Sequence, residues 1–517
     1  MNGYNSAQYH EDGKIPFEEA LEKAGFGLFN FLYTSLIGFI IIAFVFVSYG
    51  STIIVPASAC ELGTTATQRG MLAAAPVIGL LLGAVLWGYL GDTRGRRRML
   101  LVTLVCAGSI NSLASISVNW IMLLVLQFIA SIFASGLYSL SMTLLSETVP
   151  VTKRNLVLLL VTSIFLLSQG LMAVLAIPII PLSFSNYLPA LDIFWNSWRT
   201  LMLVYSMPSL ITALCLFFLP ESPKFVLSQG DEDKALEILR RIYRINNRGS
   251  KEEYQVKGVI RETEKKEKAS MKDQIVPLFR APLLKFTIIM TSLLIFQQVG
   301  ALLVWLPTVA NQFMQMFASD NWEDGGAPTD LTLCQFLGTD MEVIPDPNEV
   351  PCSLNVNAML IVLGVAALQS MVNLIVSMVV NKVGRRNLVM VITAVCGTCG
   401  ILVNLVPNTI ASGVLYVLLL VGIIVVGLYT ALAVALFPTH LRVLAVSVML
   451  TGGRIGTFAS IQILNLLLET NCDAGFYIFS SLFAASAIIA FFLPDERRLL
   501  APQQKQDDDD DEEKTEL

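Results

Sequence analysis

The chain has 517 residues, of which 55% are hydrophobic and only 14% are charged, and its net charge is −6. A soluble core cannot use that much apolar surface, so the composition excludes an ordinary soluble globular protein. Nothing in the charge balance indicates a nucleic-acid partner. Residues 1–33 are polar and acidic, and the first long apolar run begins near Thr34, too far along the chain for a cleavable signal peptide.

Twelve apolar runs follow, and each has the roughly 20 residues that a membrane-spanning helix needs. They fall into two groups of six, so we predict an all-α membrane protein made of two six-helix bundles. The predicted spans are 34–56, 71–91, 99–118, 120–145, 157–180 and 200–219 in the first group and 285–307, 357–380, 388–406, 413–436, 444–468 and 474–493 in the second.

The loops differ in charge on the two sides of the predicted membrane. Lys and Arg concentrate on one side, whereas the loop 308–356 on the other has none and carries eight acidic residues. Because basic loops stay in the cytoplasm, we expect both termini and the central loop to be cytoplasmic and 308–356 to lie opposite. The predicted parts are an N-terminal segment (1–33), a first bundle (34–219), a central loop (220–284), a second bundle (285–493) and an acidic tail (494–517).

The central loop contains helix signals. Ser222 and Pro223 are typical of a helix start, because Pro is favoured at the first helical position. Further on, a stripe of apolar residues spaced by three or four predicts an amphipathic helix against the cytoplasmic face. The stripe consists of Ala235, Leu236, Leu239, Ile242 and Tyr243.

Four of the eight cysteines fall in loops on the acidic side. Cys334 and Cys352 share one loop and could form a disulfide, although four cysteines allow three pairings, which stay open. Cys396 and Cys399 lie one helical turn apart inside a span, where packing is a better explanation than metal binding. No metal site and no cofactor are expected. The four loop cysteines are Cys60, Cys334, Cys352 and Cys472.

The two halves repeat each other weakly. A Gly-Arg-Arg sequence follows the second span at Gly95 and the eighth span at Gly384, 289 residues later. A Pro followed four residues later by Arg comes after the fourth and tenth spans, ending at Arg154 and Arg442, which are 288 residues apart. A duplicated six-helix unit explains this spacing, and many transporters are built from such repeats.

These motifs carry a family resemblance. The pattern G-x-x-x-D-x-x-G-R-R at 88–97 resembles the loop signature of the major facilitator superfamily. The sequence P-E-S-P-K-F at 220–225 resembles a motif shared by sugar porters, organic ion transporters and synaptic vesicle proteins. A Gln pair in the seventh span is similar to a sugar-porter pair, and V-W-L-P at 304–307 is most similar to the synaptic vesicle glycoprotein 2 group. The resemblance covers nearly all of 24–498 and implies a twelve-helix transporter fold.

The resemblance implies a latch at the cytoplasmic helix ends that stabilises the state closed on that side. Carboxylates would pair there with arginines across the glycine turns. The alternative is that these charges only fix topology and face water. The candidate gating residues are Asp92, Gly95, Arg96, Arg97, Glu147, Arg154, Arg385 and Arg442.

The chain departs from the family pattern in two places. The second-half counterparts of Asp92 and Glu147 are Asn381 and Ala435, so the second latch lacks both carboxylates. The first span, 34–56, contains no acidic residue, whereas the family carries acids there. These departures weaken any inference of substrate type and energy coupling from the family.

Arg454 is the one charged residue deep inside the predicted spans. A guanidinium facing lipid costs at least about 2.5–3.5 kcal/mol, so we expect Arg454 to face protein or a cavity and to favour an anionic solute. Gln297, Gln298 and Gln169 are further candidates for substrate binding, although such residues more often join helices by hydrogen bonds. No Asp, Glu or His lies in a predicted span interior, which argues against proton coupling.

We therefore predict a secondary transporter of a small organic solute that works by alternating access, as a uniporter or exchanger rather than a proton symporter. The alternative is a transport-inactive scaffold or regulator similar to synaptic vesicle proteins. An enzyme is not expected, because no nucleophile–base pair emerges. The protein should be monomeric and lie in the plasma membrane or an intracellular vesicle membrane.

Overall fold

The structure is a computed structural model. It describes residues 14–182, 184–189, 192–248, 254–260, 276–281, 283–297, 299–318, 331–338, 355–437 and 442–494.

Within this described part, ten helices are long and apolar enough to cross a membrane. Two more, Arg96–Ala114 and Arg442–Thr470, lie at the third and eleventh predicted spans. Helices therefore occupy all twelve predicted positions, and the predicted fold class is confirmed.

Some spans consist of consecutive helices. The first half and the central segment contain α1 (Phe17–Lys23), α2 (Leu28–Tyr49), α3 (Ser51–Leu62), α4 (Ala66–Arg94), α5 (Arg96–Ala114), α6 (Trp120–Thr148), α7 (Val151–Ala176), α8 (Ser197–Phe217), α9 (Pro223–Ser228) and α10 (Glu232–Asn246). The second half contains α11 (Leu283–Phe296), α12 (Val299–Val304), α13 (Leu306–Ala318), α14 (Leu333–Gly338), α15 (Val356–Val383), α16 (Arg385–Leu402), α17 (Thr409–Val421), α18 (Val425–Leu436), α19 (Arg442–Thr470) and α20 (Cys472–Phe491). The strands are β1 (Lys14–Pro16), β2 (Asn186–Leu188), β3 (Ile193–Trp195) and β4 (Gly258–Ile260).

The seventh span is not the continuous helix that its hydropathy predicts. It is divided into α11, α12 and α13, and Gln297 lies in the first break. The tenth span is also interrupted, because a 3-10 turn at Gly422–Ile424 separates α17 from α18. Such breaks expose backbone groups to partners other than the helix itself.

The described residues form two compact units. The first, unit 1, comprises 14–54 and 75–260, and the second, unit 2, comprises 55–74 and 276–494. The central segment with α9 and α10 therefore packs as part of unit 1.

Small residues allow the helices within each unit to approach closely. In unit 1, a Cβ on Gly83 of α4 would lie 2.2 Å from the carbonyl oxygen of Ile132 in α6. Trp87 donates its indole N–H to the same oxygen at 2.8 Å. In unit 2, a Cβ on Gly397 of α16 would lie 2.7 Å from the backbone of Ala484 in α20. Membrane helices commonly use small residues in this way, since lipid offers no hydrophobic force to hold them together.

Large apolar side chains cover the outside of both units. Val85 and Phe218 are 68% and 70% exposed, and Met378 and Ile488 are 70% and 67% exposed. A soluble surface does not carry so many exposed apolar side chains, whereas acyl chains solvate them. The chain is therefore a multi-pass membrane protein.

The basic end of unit 1 is the end at which α4, α6 and α8 finish and α5 and α7 begin. The N-terminal segment joins the central segment there, because β1 pairs with β4 in a parallel register. Asn246, at the end of α10, donates to the carbonyl oxygen of Gly25 and to Oδ1 of Asn30, both at 2.9 Å, and accepts the N–H of Phe29 at 3.0 Å. α10 buries its apolar stripe, including Leu239 and Ile242. A small folded layer thus covers this end of unit 1.

A disulfide in unit 2 corrects one expectation. Cys334 is bonded to Cys472, with Cα atoms 5.6 Å apart, so the pairing suggested by a shared loop, Cys334 with Cys352, is wrong. Asn404 holds Cys334 in place by accepting its backbone N–H at 3.1 Å. Cys60 is also disulfide-bonded, and Cys352 lies outside the described residues. Tertiary packing, and not distance along the chain, brings the two sulfurs together.

Candidate functional site

The turn between α4 and α5 is built around Gly95. Its φ is +103°, a conformation that side chains with a Cβ rarely adopt, and a Cβ there would lie 2.7 Å from Oε2 of Glu221. Glu221 accepts the backbone N–H groups of Arg97 at 2.8 Å and Arg98 at 3.3 Å. Helix N-termini leave such N–H groups unsatisfied and carry partial positive charge. Glu221 therefore caps α5 from a distant segment.

Arg96 connects two carboxylates. Its Nη2 lies 3.2 Å from Oδ1 of Asp92 and 3.2 Å from Oε1 of Glu147. The guanidinium also lies over the ring of Phe225, 4.9 Å from its centroid. The side chains of Arg96 and Glu147 are 15% and 10% exposed, whereas that of Asp92 is 72% exposed. The shielded contact with Glu147 is therefore the stronger one, because exposed pairs contribute little.

Ser222 completes the environment of Glu147. Its hydroxyl donates to Oε2 of Glu147 and accepts the backbone N–H of Phe225 at 3.2 Å, as the N-cap of α9. Ser222 is fully buried. The sequence indicated Ser222 as a helix start but gave no sign of its carboxylate partner. We call Arg96, Glu147 and Ser222, with Asp92 at the edge, the Arg96 network.

Arg154 does not join that network directly. Its Nη2 lies 2.8 Å from Glu18 in α1, and Glu18 also binds Nζ of Lys224 at 3.0 Å. Partial burial opposes ionisation of Glu18, but the hydrogen bond and charge of Lys224, together with Arg154, outweigh it, so the pKa of Glu18 is lowered. Sequence reasoning missed Glu18, since nothing local marks a residue of the N-terminal segment as a partner for Arg154 or Lys224.

Arg97 and its repeat counterpart have the same structural role. Arg97 donates to the carbonyl oxygens of Leu216, at 3.3 Å, and Phe217, the last residues of α8. Arg386 donates to the carbonyl oxygen of Phe491, the last residue of α20, at 2.7 Å. Each arginine thus satisfies free carbonyl groups at the C-terminus of the last helix of its half.

The second copy of the turn has the same backbone conformation at its glycine. Gly384 has φ +88° and precedes α16 as Gly95 precedes α5. Arg385, the counterpart of Arg96, donates to the carbonyl oxygen of Ala431 at 3.4 Å. In the sequence, the counterparts of Asp92 and Glu147 are the neutral residues Asn381 and Ala435. Arg442 begins α19, and its side chain lies outside the described residues.

The candidate solute residues lie within the spans. Gln297, in the break before α12, is 4% exposed and donates to the carbonyl oxygen of Gly422 at 3.2 Å. Its Oε1 is buried and has no hydrogen-bond partner among the residues that the structure describes. Gln169 in α7 and Arg454 in α19 are half-buried. Gln298 lies outside the described residues.

A buried arginine at the opposite end of unit 1 escaped sequence reasoning. Arg199 is 1% exposed, and its Nη1 donates to the carbonyl oxygens of Ser115 at 2.7 Å and Ser117 at 3.0 Å. Its guanidinium lies 4.4 Å from the ring centroid of Trp198. Arg199 directly precedes the predicted sixth span, 200–219, and no motif marks it as buried. It anchors the chain that leaves α5.

Comparisons with known proteins agree with this architecture. Human synaptic vesicle glycoprotein 2B is 27% identical over 233 residues, which are 45% of this chain and 34% of that protein. The synaptic vesicle 2-related protein of Xenopus laevis is 27% identical over 231 residues, 45% of this chain and 40% of that protein. The chain thus matches less than half the length of these curated relatives, and the resemblance to their group is confirmed.

A solved structure shows the same fold. The xylose transporter XylE from E. coli, in a partially occluded inward-open conformation, aligns with a TM-score of 0.62 over 90% of this chain and 100% of XylE, at 15% identity. The family model described as Major Facilitator Superfamily matches residues 35–339. The chain belongs to the Major Facilitator Superfamily.

Proposed function

We propose that the chain is a secondary transporter of a small organic solute that works by alternating access, and that the Arg96 network stabilises the state closed at the basic end. The shielded contact between Arg96 and Glu147 carries this proposal. It joins the first turn of α5 to the last turn of α6, and Ser222 adds α9. In this proposal, opening this end separates these groups and exposes them to water, so the strength of the network affects the balance between the two states.

Exposed basic residues near the network support an orientation of the chain in the membrane. We place the basic end, both termini and 220–284 in the cytoplasm, since Arg94, Arg98 and Lys153 are exposed there. We propose that the membrane is that of the cell surface or of a vesicle, and the names of the relatives support a vesicle membrane. An epitope inserted at Gly325 should be reached by antibody on intact cells carrying the protein at their surface. Staining only after permeabilisation would show that the orientation is the opposite of the one proposed.

Uptake should not require a proton gradient. No acidic residue or His lies inside the predicted spans, so the chain offers no intramembrane proton carrier. One structure of similar fold is named a D-xylose–proton symporter, with 15% identity and a TM-score of 0.60, but that likeness concerns the fold alone. Proteoliposomes tested with organic cations, anions, sugars and nucleotides should take up one class, and a protonophore with the membrane potential clamped should leave the rate unchanged. If uptake stops, Glu147 in the last turn of α6 is the first candidate carrier.

The solute site is proposed to include Arg454, with Gln297, Gln298 and Gln169 as neutral contacts. Arg454 lies about 18 Å from the start of α19, at 1.5 Å per residue, which is near the middle of a 30 Å hydrocarbon core. A guanidinium at that depth, half-buried in unit 2, suits a carboxylate-bearing or otherwise anionic solute.

Replacing Arg454 should weaken solute binding. We expect Arg454→Gln to raise the apparent KM by about tenfold or more, since it removes a charge-assisted contact of roughly 1.5–3 kcal/mol. Arg454→Lys should have an intermediate effect, because it keeps the charge but loses the planar fork. The measurement is uptake by proteoliposomes with matched protein content. An unchanged KM for Arg454→Gln would remove Arg454 from the site.

A second candidate function is a transport-inactive regulator similar to synaptic vesicle proteins. The specific observation in its favour is the second copy of the turn, where the sequence has Asn381 and Ala435 at the counterparts of the carboxylates Asp92 and Glu147. Both candidates predict a stable, well-folded membrane protein. They differ in uptake, since only the transporter exchanges solute across a sealed bilayer.

A further inference from the structure

A cavity of about 470 Å³ opens at the basic end of unit 1, between the turn that follows α4 and the segment α9–α10. Its wall contains four cationic and two acidic side chains, an excess of two positive charges. The charged residues are Arg94, Arg97, Arg98, Lys234, Glu221 and Asp231. None belongs to the candidate solute residues.

The two carboxylates in the wall are already engaged with backbone groups. Glu221 accepts the N–H groups of Arg97 and Arg98 at the start of α5. Asp231 accepts the backbone N–H of Lys234 at 3.1 Å, as the N-cap of α10. Each carboxylate therefore offsets the partial positive charge of a helix N-terminus and leaves the side-chain cations largely uncompensated.

Three of the cations are exposed and available to a ligand. They are Arg94, Arg98 and Lys234, and among the described residues no carboxylate lies within ion-pair distance of them. Arg97 differs, because it donates to the carbonyl oxygens at the end of α8. The wall thus presents a cluster of available positive charge around a space large enough for a small ligand.

We infer that this cavity binds a phosphate-bearing anion, supplied as the phosphorylated headgroup of a membrane lipid. Guanidinium and ammonium groups bind phosphate oxygens strongly, and a phosphomonoester carries nearly two negative charges. The position at the membrane surface favours a lipid as the source. Phe217 and Phe218, next to the carbonyl groups that Arg97 binds, are 63% and 70% exposed, and such apolar side chains require acyl chains beside them. Basic sites at the cytoplasmic ends of membrane helices suit phosphorylated headgroups.

The test uses the full chain in phosphatidylcholine nanodiscs and a fluorescent short-chain phosphatidylinositol bisphosphate as the probe. The triple variant Arg94→Gln/Arg98→Gln/Lys234→Gln should bind it on the order of a hundredfold more weakly, about fivefold for each cation removed. The single variants Arg94→Gln and Lys234→Gln should each bind the probe about fivefold more weakly. A matched triple variant, Lys153→Gln/Arg241→Gln/Arg244→Gln, removes three cations that do not line the cavity and should change binding less than about threefold.

Two results would overturn the inference. Equal losses in the two triple variants would mean that overall surface charge, and not the cavity, attracts the probe. If soluble inositol trisphosphate binds the wild-type protein as tightly as the short-chain lipid does, the ligand is a free anion and the lipid source is wrong. A lipid that binds at least about tenfold more tightly than the soluble headgroup supports the inference, since the acyl chains then contribute.

Discussion

Arg96→Gln should destabilise the protein by about 3–5 kcal/mol, because it leaves the carboxylate of Glu147 shielded from water without its cation. The side chain of Glu147 is only 10% exposed, and Ser222 alone cannot compensate its charge. The free energy of unfolding, measured by chemical denaturation of the detergent-solubilised protein, reports this loss. In proteoliposomes the same variant should shift the transporter toward the state open at the basic end.

Two variants serve as controls for Arg96→Gln. Asp92→Asn removes another partner of the Arg96 guanidinium. The side chain of Asp92 is 72% exposed, so the free energy of unfolding should fall by less than about 1 kcal/mol. The double variant Arg96→Gln/Glu147→Gln removes both charges and should be more stable than Arg96→Gln alone, since no isolated charge remains. If Asp92→Asn is as damaging as Arg96→Gln, the shielded pair is not the centre of the network.

Gly95→Ala should lower the free energy of unfolding by about 2–4 kcal/mol. This is the sum of the backbone strain at positive φ and the loss of the helix cap. The added Cβ would lie 2.7 Å from Oε2 of Glu221 and 3.2 Å from the ring of Phe225. Glu221 would have to withdraw from the N–H groups of α5. Thermal unfolding of the purified protein measures the change.

Gly230→Ala separates the two contributions. Gly230 has φ +94°, and none of the described residues comes within 4 Å of the position that a Cβ would take, so Ala there adds backbone strain without a steric clash. We expect the loss of stability in Gly95→Ala to exceed that in Gly230→Ala by at least about 1 kcal/mol, which is the contribution of the cap. Equal losses would show that Glu221 adjusts freely and that the cap contributes little.

The sequence by itself determined the elements of the fold that depend on local composition. Apolar runs of sufficient length marked the twelve spans, since each span must satisfy its backbone polar groups within one segment of chain. The repeated Gly-Arg-Arg sequence marked both turns, at Gly95 and Gly384, because the required φ is a local property. The start of α9 at Pro223 was also predictable, because the preference for Pro at the first helical position is a local property.

The tertiary structure alone decided which residues meet. Glu221 caps a helix 124 residues earlier in the chain, and Arg154 binds Glu18 across 136 residues. Cys334 pairs with Cys472 across a separation of 138 residues. Hydropathy and motif spacing describe neighbours along the chain, whereas these contacts depend on how the helices of one unit pack, and such local patterns do not reveal that packing.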